Sequence, residues 1–385
     1  MSNMKKKIVF ITGTRADYGK IKSLLLQIEK TDIFEAFIYV SGMHLLETFG
    51  STYNEVINDG YRNVYTAFGQ MHSRSMSYNT GNIICDFTGY INQIKPDMIV
   101  VHGDRIDALA GAVAGALSGI IVAHIEGGEI SGTIDESIRH AISKFAHLHF
   151  VSNEEAKKRL LQLGEIDENV FIIGSPDIDI MMSASLPSLE KALDRYNIPF
   201  TKYGVLMFHP VTTEHSSIQL HIRELVDAIV QSANNYIVIY PNDDLGSEII
   251  LNEYKRFATN QRFAIFPSVR FEYFLTLLKN AQFILGNSSA GVREACVYGI
   301  PSIDIGSRQT GRYKLTELRN IQHIDFSKEQ ILHALDNHQI YRIAGSYFGF
   351  GDSTERFMSI ISNNDIWKEN LQKKFIDLAV MEQNV

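Results

Sequence analysis

Three carboxylates and an arginine stand at the ends of apolar runs in this 385-residue chain. Val100-Val101 lead into His102-Gly103-Asp104-Arg105, and Ile120-Ile121-Val122-Ala123 lead into His124-Ile125-Glu126-Gly127-Gly128-Glu129. Asp135 follows in Ser131-Gly132-Thr133-Ile134-Asp135-Glu136-Ser137-Ile138-Arg139-His140. An apolar run that exits at glycine reads as a buried parallel strand. Ligands of open α/β sheets bind beyond the carboxyl ends of their strands. Asp104, Arg105, Glu126 and Asp135 are therefore aimed at one crevice, where they suit acid–base chemistry on an anionic ligand. Asp135 and Arg139 are also four residues apart on a predicted helix, the spacing of a plain intrahelical ion pair worth about 0.2–0.5 kcal/mol.

Other strand exits carry anion-binding chemistry. Thr12-Gly13-Thr14-Arg15-Ala16-Asp17-Tyr18-Gly19-Lys20 lacks the glycine spacing of a dinucleotide fingerprint and the ending of a P-loop. Arg15 there reads either as a phosphate ligand beside a helix start or as a surface arginine near a cap. Gly286-Asn287-Ser288-Ser289-Ala290-Gly291-Val292-Arg293-Glu294 reads as a nucleotide-binding turn or as an ordinary Asn/Ser cap. Glu294 suits ribose hydroxyls, or else pairs with Arg293 as a solvated helix carboxylate. His209, in His-Pro-Val-Thr-Thr, and Asn242, in Pro-Asn-Asp, close two further strands. Arg308 and Arg312 add cationic donors after the last predicted strand.

The elements that must position these residues alternate throughout. Predicted strands cover 7–12, 36–40, 98–101, 120–125, 147–151 and 170–173, then 204–208, 236–240, 263–266, 283–285 and 302–305. Helical patterns separate them. Such alternation implies parallel sheets with helices on both faces, and 385 residues exceed one ordinary core. The expected division is an N-terminal Rossmann-like domain over 1–178, a C-terminal one over 179–362, and a helix or tail over 363–385. Gly111, Gly115 and Gly119 allow close helix packing within or between subunits. Net charge is 36 − 44 = −8, with no long basic run, which argues against a nucleic-acid surface. Two distant cysteines give no disulfide framework. No run approaches a membrane span, and the N-terminal apolar stretch is too short for a signal peptide. A cytoplasmic protein is expected. His102, His124, His140, His147 and His149 lack the spacing of a metal motif, so no metal and no cofactor are expected.

Taken in order, Arg-Ala-Asp-Tyr at Arg15, His-Gly-Asp-Arg at His102, His-Ile-Glu-Gly-Gly-Glu at His124, Ser-Gly-Thr-Ile-Asp-Glu-Ser-Ile-Arg-His at Ser131, His-Pro-Val-Thr-Thr at His209 and Gly-Asn-Ser-Ser at Gly286 resemble the hydrolysing UDP-N-acetylglucosamine (UDP-GlcNAc) 2-epimerases of sialic acid biosynthesis. The resemblance spans about 6–357. It implies a GT-B fold with the site between two Rossmann-like domains. It implies UDP binding by Arg15, Arg105, His209, Asn242, Val269, Ser288, Ser289, Glu294 and Arg308, and a catalytic set of Asp104, Glu126, Asp135 and His209. Conversion of UDP-GlcNAc and water to N-acetylmannosamine (ManNAc) and UDP is the implied reaction, in a homodimer or homotetramer. A hydrolysing 2-epimerase of UDP-2,4-diacetamido-trideoxy sugars is the alternative. Gly19 stands where the animal enzyme of this family has a UDP-contacting Ser, and Pro267-Ser268 stand where it has the Lys-His of a feedback site.

Overall fold

The computed structural model describes residues 5–69, 75–131, 133–368 and 370–377. Its strands form two parallel sheets. The first holds β1 (Lys6–Thr12), β2 (Phe34–Val40), β3 (Val64–Thr66), β4 (Met98–His102), β5 (Ile121–Ile125), β6 (Leu148–Val151) and β7 (Val170–Ile172), in the order β3-β2-β1-β4-β5-β6-β7. The second holds β8 (Gly204–Met207), β9 (Tyr236–Ile239), β10 (Phe263–Phe266), β11 (Ile284–Gly286), β12 (Ser302–Ile305) and β13 (Ile321–Ile324), in the order β10-β9-β8-β11-β12-β13. Strand order reverses between β1 and β4 and again between β8 and β11. Those two switch points are where doubly wound sheets open a ligand crevice.

Period-two alternation explains why both faces of each sheet are covered. In β1, Ile8 and Phe10 pack with Leu24, Leu25 and Ile28 of the helix Arg15–Ile28. Val9 and Ile11 point the other way, towards Ile83, Phe87, Ala108 and Ala112 of the helices Met76–Ile94 and Ile106–Leu117. Each fully buried aliphatic side chain of this kind contributes about 1.5–3 kcal/mol. The glycines at 111 and 115 serve packing within the subunit. A Cβ on Gly111 would sit 2.9 Å from Ile11, and one on Gly115 would sit 2.7 Å from Val122.

The expected boundary at 362 falls just after a helix that packs on the first half. The helix Ser353–Ile361 returns to the first half, where Phe357, Ile361 and Ile366 join the core of Ile8 and Phe150. A division at 362 therefore assigns to the second half a helix whose Phe357 and Ile361 cover the first sheet. Beyond it, Asn364–Lys368 forms a single short 3-10 helix, and the described residues 370–377 are not helical. No helix among the described residues is long and apolar enough to cross a membrane.

Candidate active site

The loops leaving β1, β4 and β5 face those leaving β8, β9, β11 and β12 across the cleft between the halves. Each loop is shaped locally. Asp17 anchors the first: its carboxylate accepts from Gly13 N at 3.0 Å and Thr14 N at 2.8 Å, and Thr14 caps the helix that begins at Arg15. Gly103 takes φ +73° at the β4 exit, so the chain turns sharply into Asp104. Glu126 itself sits at φ +65°, a left-handed conformation rare for a non-glycine residue. Gly128 follows at φ +75°, where a Cβ would lie 2.2 Å from Ala156 O.

Two adjoining cavities fill the cleft and share Thr14, Lys20, His209, Asn242, Ser288 and Ser289. Arg15, Val269 and Glu294 line one; Asp104, Arg105, Glu126, Asp135 and Arg308 line the other. The structure thus brings together every residue nominated from sequence. Two of its arginines are engaged within the protein, Arg15 with Glu55 and Arg105 with Asp244.

Opposite charges from the two halves meet here. Glu126 is buried. It accepts from Ser175 Oγ at 2.6 Å, is bonded by Arg293, and has His102 Nε2 at 3.3 Å. Burial alone would raise its carboxyl; Arg293, Lys20 and His102 outweigh that and hold it well below the usual range. Asp104 is bonded by Arg139, with Arg312 at 3.6 Å. Burial again opposes ionisation, but Arg139, Arg312, Arg105 and Arg308 hold Asp104 down at about 2. Asp135 behaves differently. Its contact with Arg308 is longer, 3.4 Å, and burial together with the charge of Asp104 pushes it up. The site therefore holds two carboxylates biased towards the ionised form and one biased towards the proton, a division of the kind that assigns acids and bases.

His209 is buried and accepts from Asn242 N at 3.0 Å through Nδ1, which places its proton on Nε2. Burial, then Arg308, keep the ring neutral. It is a neutral donor. Asn287 locks the loop, accepting from His209 N at 2.7 Å and donating to His209 O at 2.8 Å. Glu294 Oε2 is buried with no hydrogen-bond partner among the described residues, and Lys20 Nζ lies 3.6 Å from its other oxygen. Ser288 caps the turn Ser289–Val292. Among the described residues, no group of three or more His, Cys, Asp or Glu side chains is arranged to hold a metal ion.

Both the sequence and the fold are matched by known proteins. The family model described as UDP-N-acetylglucosamine 2-epimerase matches residues 26–362. The chain belongs to this family. The UDP-N-acetylglucosamine 2-epimerase of Neisseria meningitidis serogroup B is 47% identical over 380 residues, covering 97% of this chain and 99% of the relative. The UDP-N,N'-diacetylbacillosamine 2-epimerase (hydrolyzing) of Legionella pneumophila is 33% identical, covering 96% and 99%. The crystal structure of Methanocaldococcus jannaschii UDP-GlcNAc 2-epimerase in complex with UDP-GlcNAc and UDP superposes with a TM-score of 0.78 at 25% identity, covering 92% of this chain and 99% of that one. The architecture is GT-B, two Rossmann-like halves with the cleft between them.

In this epimerase-family chain, several pairings differ from those that spacing suggests. Arg139 does not bridge to Asp135 along its helix; it crosses to Asp104, and Asp135 faces Arg308 from the other half. Arg293 does not pair with Glu294 but reaches Glu126 and Glu129, and its guanidinium stacks 4.7 Å from the Phe348 ring. Glu129 and Arg293 carry no assigned role in the sequence reading, although both lie inside quoted motifs. Their burial, 5% and 2% exposed, is the signal, and burial of a charge is not visible in one sequence.

Proposed function

We propose that this chain is a hydrolysing UDP-GlcNAc 2-epimerase, converting UDP-GlcNAc and water to ManNAc and UDP, the amino sugar serving sialic acid biosynthesis. The observation that carries the reading is the cleft itself. Asp104, Glu126 and Asp135 share one cavity, and Ser288, Ser289 and His209 join it to the cavity of Val269 and Glu294. A nucleotide sugar with its sugar among the acids and its uridine by Val269 fits that arrangement. The unpartnered Glu294 oxygen suits a ribose hydroxyl.

In the first step the C1–O bond to UDP breaks with the bonding pair leaving on the diphosphate. The C2–H proton goes to a carboxylate, and the C1–C2 double bond of 2-acetamidoglucal forms. Arg308, His209 Nε2–H and the Ser288 and Ser289 donors meet the negative charge on the departing diphosphate. Arg15 joins them once it exchanges Glu55 for phosphate. In the second step the oxygen of water bonds to C1 and gives up one proton to solvent, while a proton is delivered to the opposite face of C2. Glu126, ionised, takes the first proton; Asp135, pushed towards the protonated form, supplies the second. Asp104 stays ionised and stabilises positive charge developing at C1. Inversion at C2 needs groups on two faces, which a cleft lined from both halves provides. The enzyme is read as a cytoplasmic homodimer or homotetramer, an assembly that sedimentation would check.

The test is incubation with UDP-GlcNAc in deuterated water, followed by proton NMR. Free UDP with C2-deuterated ManNAc is expected. UDP-ManNAc as the sole product, or sugar of gluco configuration keeping its C2 proton, would overturn the reading. The Legionella relative supports a second reading, in which the sugar is a 2,4-diacetamido-trideoxy hexose. Parallel assays with both nucleotide sugars decide between them by kcat/KM.

A further inference from the structure

Outside the cleft, the described residues 370–377 lie against the far end of the helix Ile134–Phe145. The last carbonyls of a helix have no partner within it. Here Lys373 supplies one. Its ammonium donates to Ser143 O at 3.1 Å and Ala146 O at 2.6 Å, and it is paired with Glu165. Glu165 is buried and is fixed in turn by His149 Nε2 at 3.0 Å and Lys144 Nζ at 2.7 Å. The neighbouring backbone is tied as well, with His147 Nε2 donating to Leu371 O at 3.1 Å while its Nδ1 accepts from Val122 N at 3.0 Å. A cation at a helix C-terminus also opposes the negative end of the helix dipole.

This helix is the one whose opposite end carries the chemistry. Asp135 is in its first turn, and Arg139, one turn on, bonds Asp104. A second line runs from the clamped end. His124 Nε2 donates to Gly103 O at 2.8 Å, so Nδ1 accepts from Ser143 Oγ at 3.0 Å, and Gly103 precedes Asp104. Both lines begin at Ser143, the residue whose carbonyl Lys373 holds.

We propose that Lys373 is a positioning residue of the epimerase reaction, clamping the C-terminal end of the helix Ile134–Phe145 and so fixing Asp135 and Asp104 relative to the sugar. The catalytic part of this inference rests on the function proposed above; the clamp itself does not. Misplacing a reacting group by about 1 Å from a distant site can cost up to about 10²-fold in rate. A partial loss is expected here, because the helix keeps its other contacts.

The experiment compares K373M, K373R and K374M, the last changing an exposed neighbour. It measures kcat, KM, the Kd for UDP by calorimetry and amide hydrogen exchange over 134–145. K373M is expected to lower kcat about tenfold, leave the UDP Kd within about twofold and speed exchange across the helix. K373R, which keeps the positive charge and its N–H donors, and K374M are expected to keep both readouts near wild type. K373M with wild-type kcat and unchanged exchange overturns the proposal, as does an equal fall of kcat in K374M. If the unsubstituted protein releases no UDP from UDP-GlcNAc, the proposed function fails. Exchange then decides the clamp alone: faster exchange in K373M upholds it and unchanged exchange overturns it.

Discussion

Glu126 is held in a conformation that costs it roughly 1–2 kcal/mol as a non-glycine residue. Its N–H donates to Phe150 O at 2.9 Å, and its carboxylate is gripped by Ser175 and Arg293. Backbone strain kept in place by surrounding bonds aims a side chain that would otherwise point elsewhere. Glu126→Gln keeps the shape and removes the proton acceptor. Asp135→Asn likewise removes the group that burial pushes towards the protonated form. Each is expected to slow turnover by about 10²–10⁴ with UDP affinity nearly retained. Steady-state rates beside UDP calorimetry check this; near-wild-type turnover in either variant removes that residue from the mechanism. Arg15→Ala is expected to weaken UDP binding, although Arg15 here pairs with Glu55. Glu55→Gln should strengthen it by freeing the guanidinium, so opposite signs for the two variants in one titration form the check.

At the scale of elements, the loop after β1 depends on one side chain. Asp17 accepts from Gly13 N, Thr14 N and Thr12 Oγ1, and closes a capping box with Thr14. Asp17→Ala strips those partners at once. It is expected to destabilise the protein by about 1–2 kcal/mol and to weaken UDP binding through Arg15. Denaturant midpoints and calorimetry read the two effects separately. The same element shows what a sequence displays. The apolar run Ile8–Ile11 and the Gly-Thr exit were sufficient to place β1 and its helix, because a strand buried on both faces is written as a continuous apolar run. β3 escaped that reading: Val64-Tyr65-Thr66 is a three-residue edge strand with only partial burial. β13 did too, since Ile321-Gln322-His323-Ile324 breaks both alternation and continuity. The return of the helix Ser353–Ile361 to the first sheet was also hidden, because its apolar stripe fits either core. Motif positions were legible; the partners of Arg139 and Arg293 were not, for Arg139 pairs with the β4 exit and Arg293 pairs across the cleft, neither along its own helix.

For the whole molecule, the cleft is spanned by charges. Arg105 meets Asp244 at 3.0 Å, Arg308 meets Asp135 at 3.4 Å, Arg270 meets Asp59 at 2.9 Å, and Arg293 reaches Glu126 and Glu129. Buried pairs of this kind add little net stability, but stranding one partner is costly. The folded state is also tied to protonation. Burial holds the His44 ring down to about 4 and the His124 ring to about 3, against an ordinary 6.5. Asp104 is held at about 2 by its arginines. Glu165 is also held at about 2; burial there is outweighed by its bonds to His149, Lys144 and Lys373. In every case the folded pKa lies below the unfolded one, so the unfolded chain takes up protons first as pH falls. Stability is full above about pH 6.5. It falls as the unfolded imidazoles protonate, then more steeply below 4.5 as the carboxylates do, and each group's share is spent once its folded pKa is passed. Each proton bound only by the unfolded state contributes a slope of about 1.4 kcal/mol per pH unit. Scanning calorimetry from pH 7.5 to about 2.5 is expected to show a melting temperature that declines in those two stages. Glu165→Gln should flatten the lower stage, since it removes a depressed carboxylate, and deepen the upper one, since the buried His149 ring loses the partner that favours its charged form. A melting temperature constant from pH 7 to 5 would contradict the assignment of neutral His44 and His124.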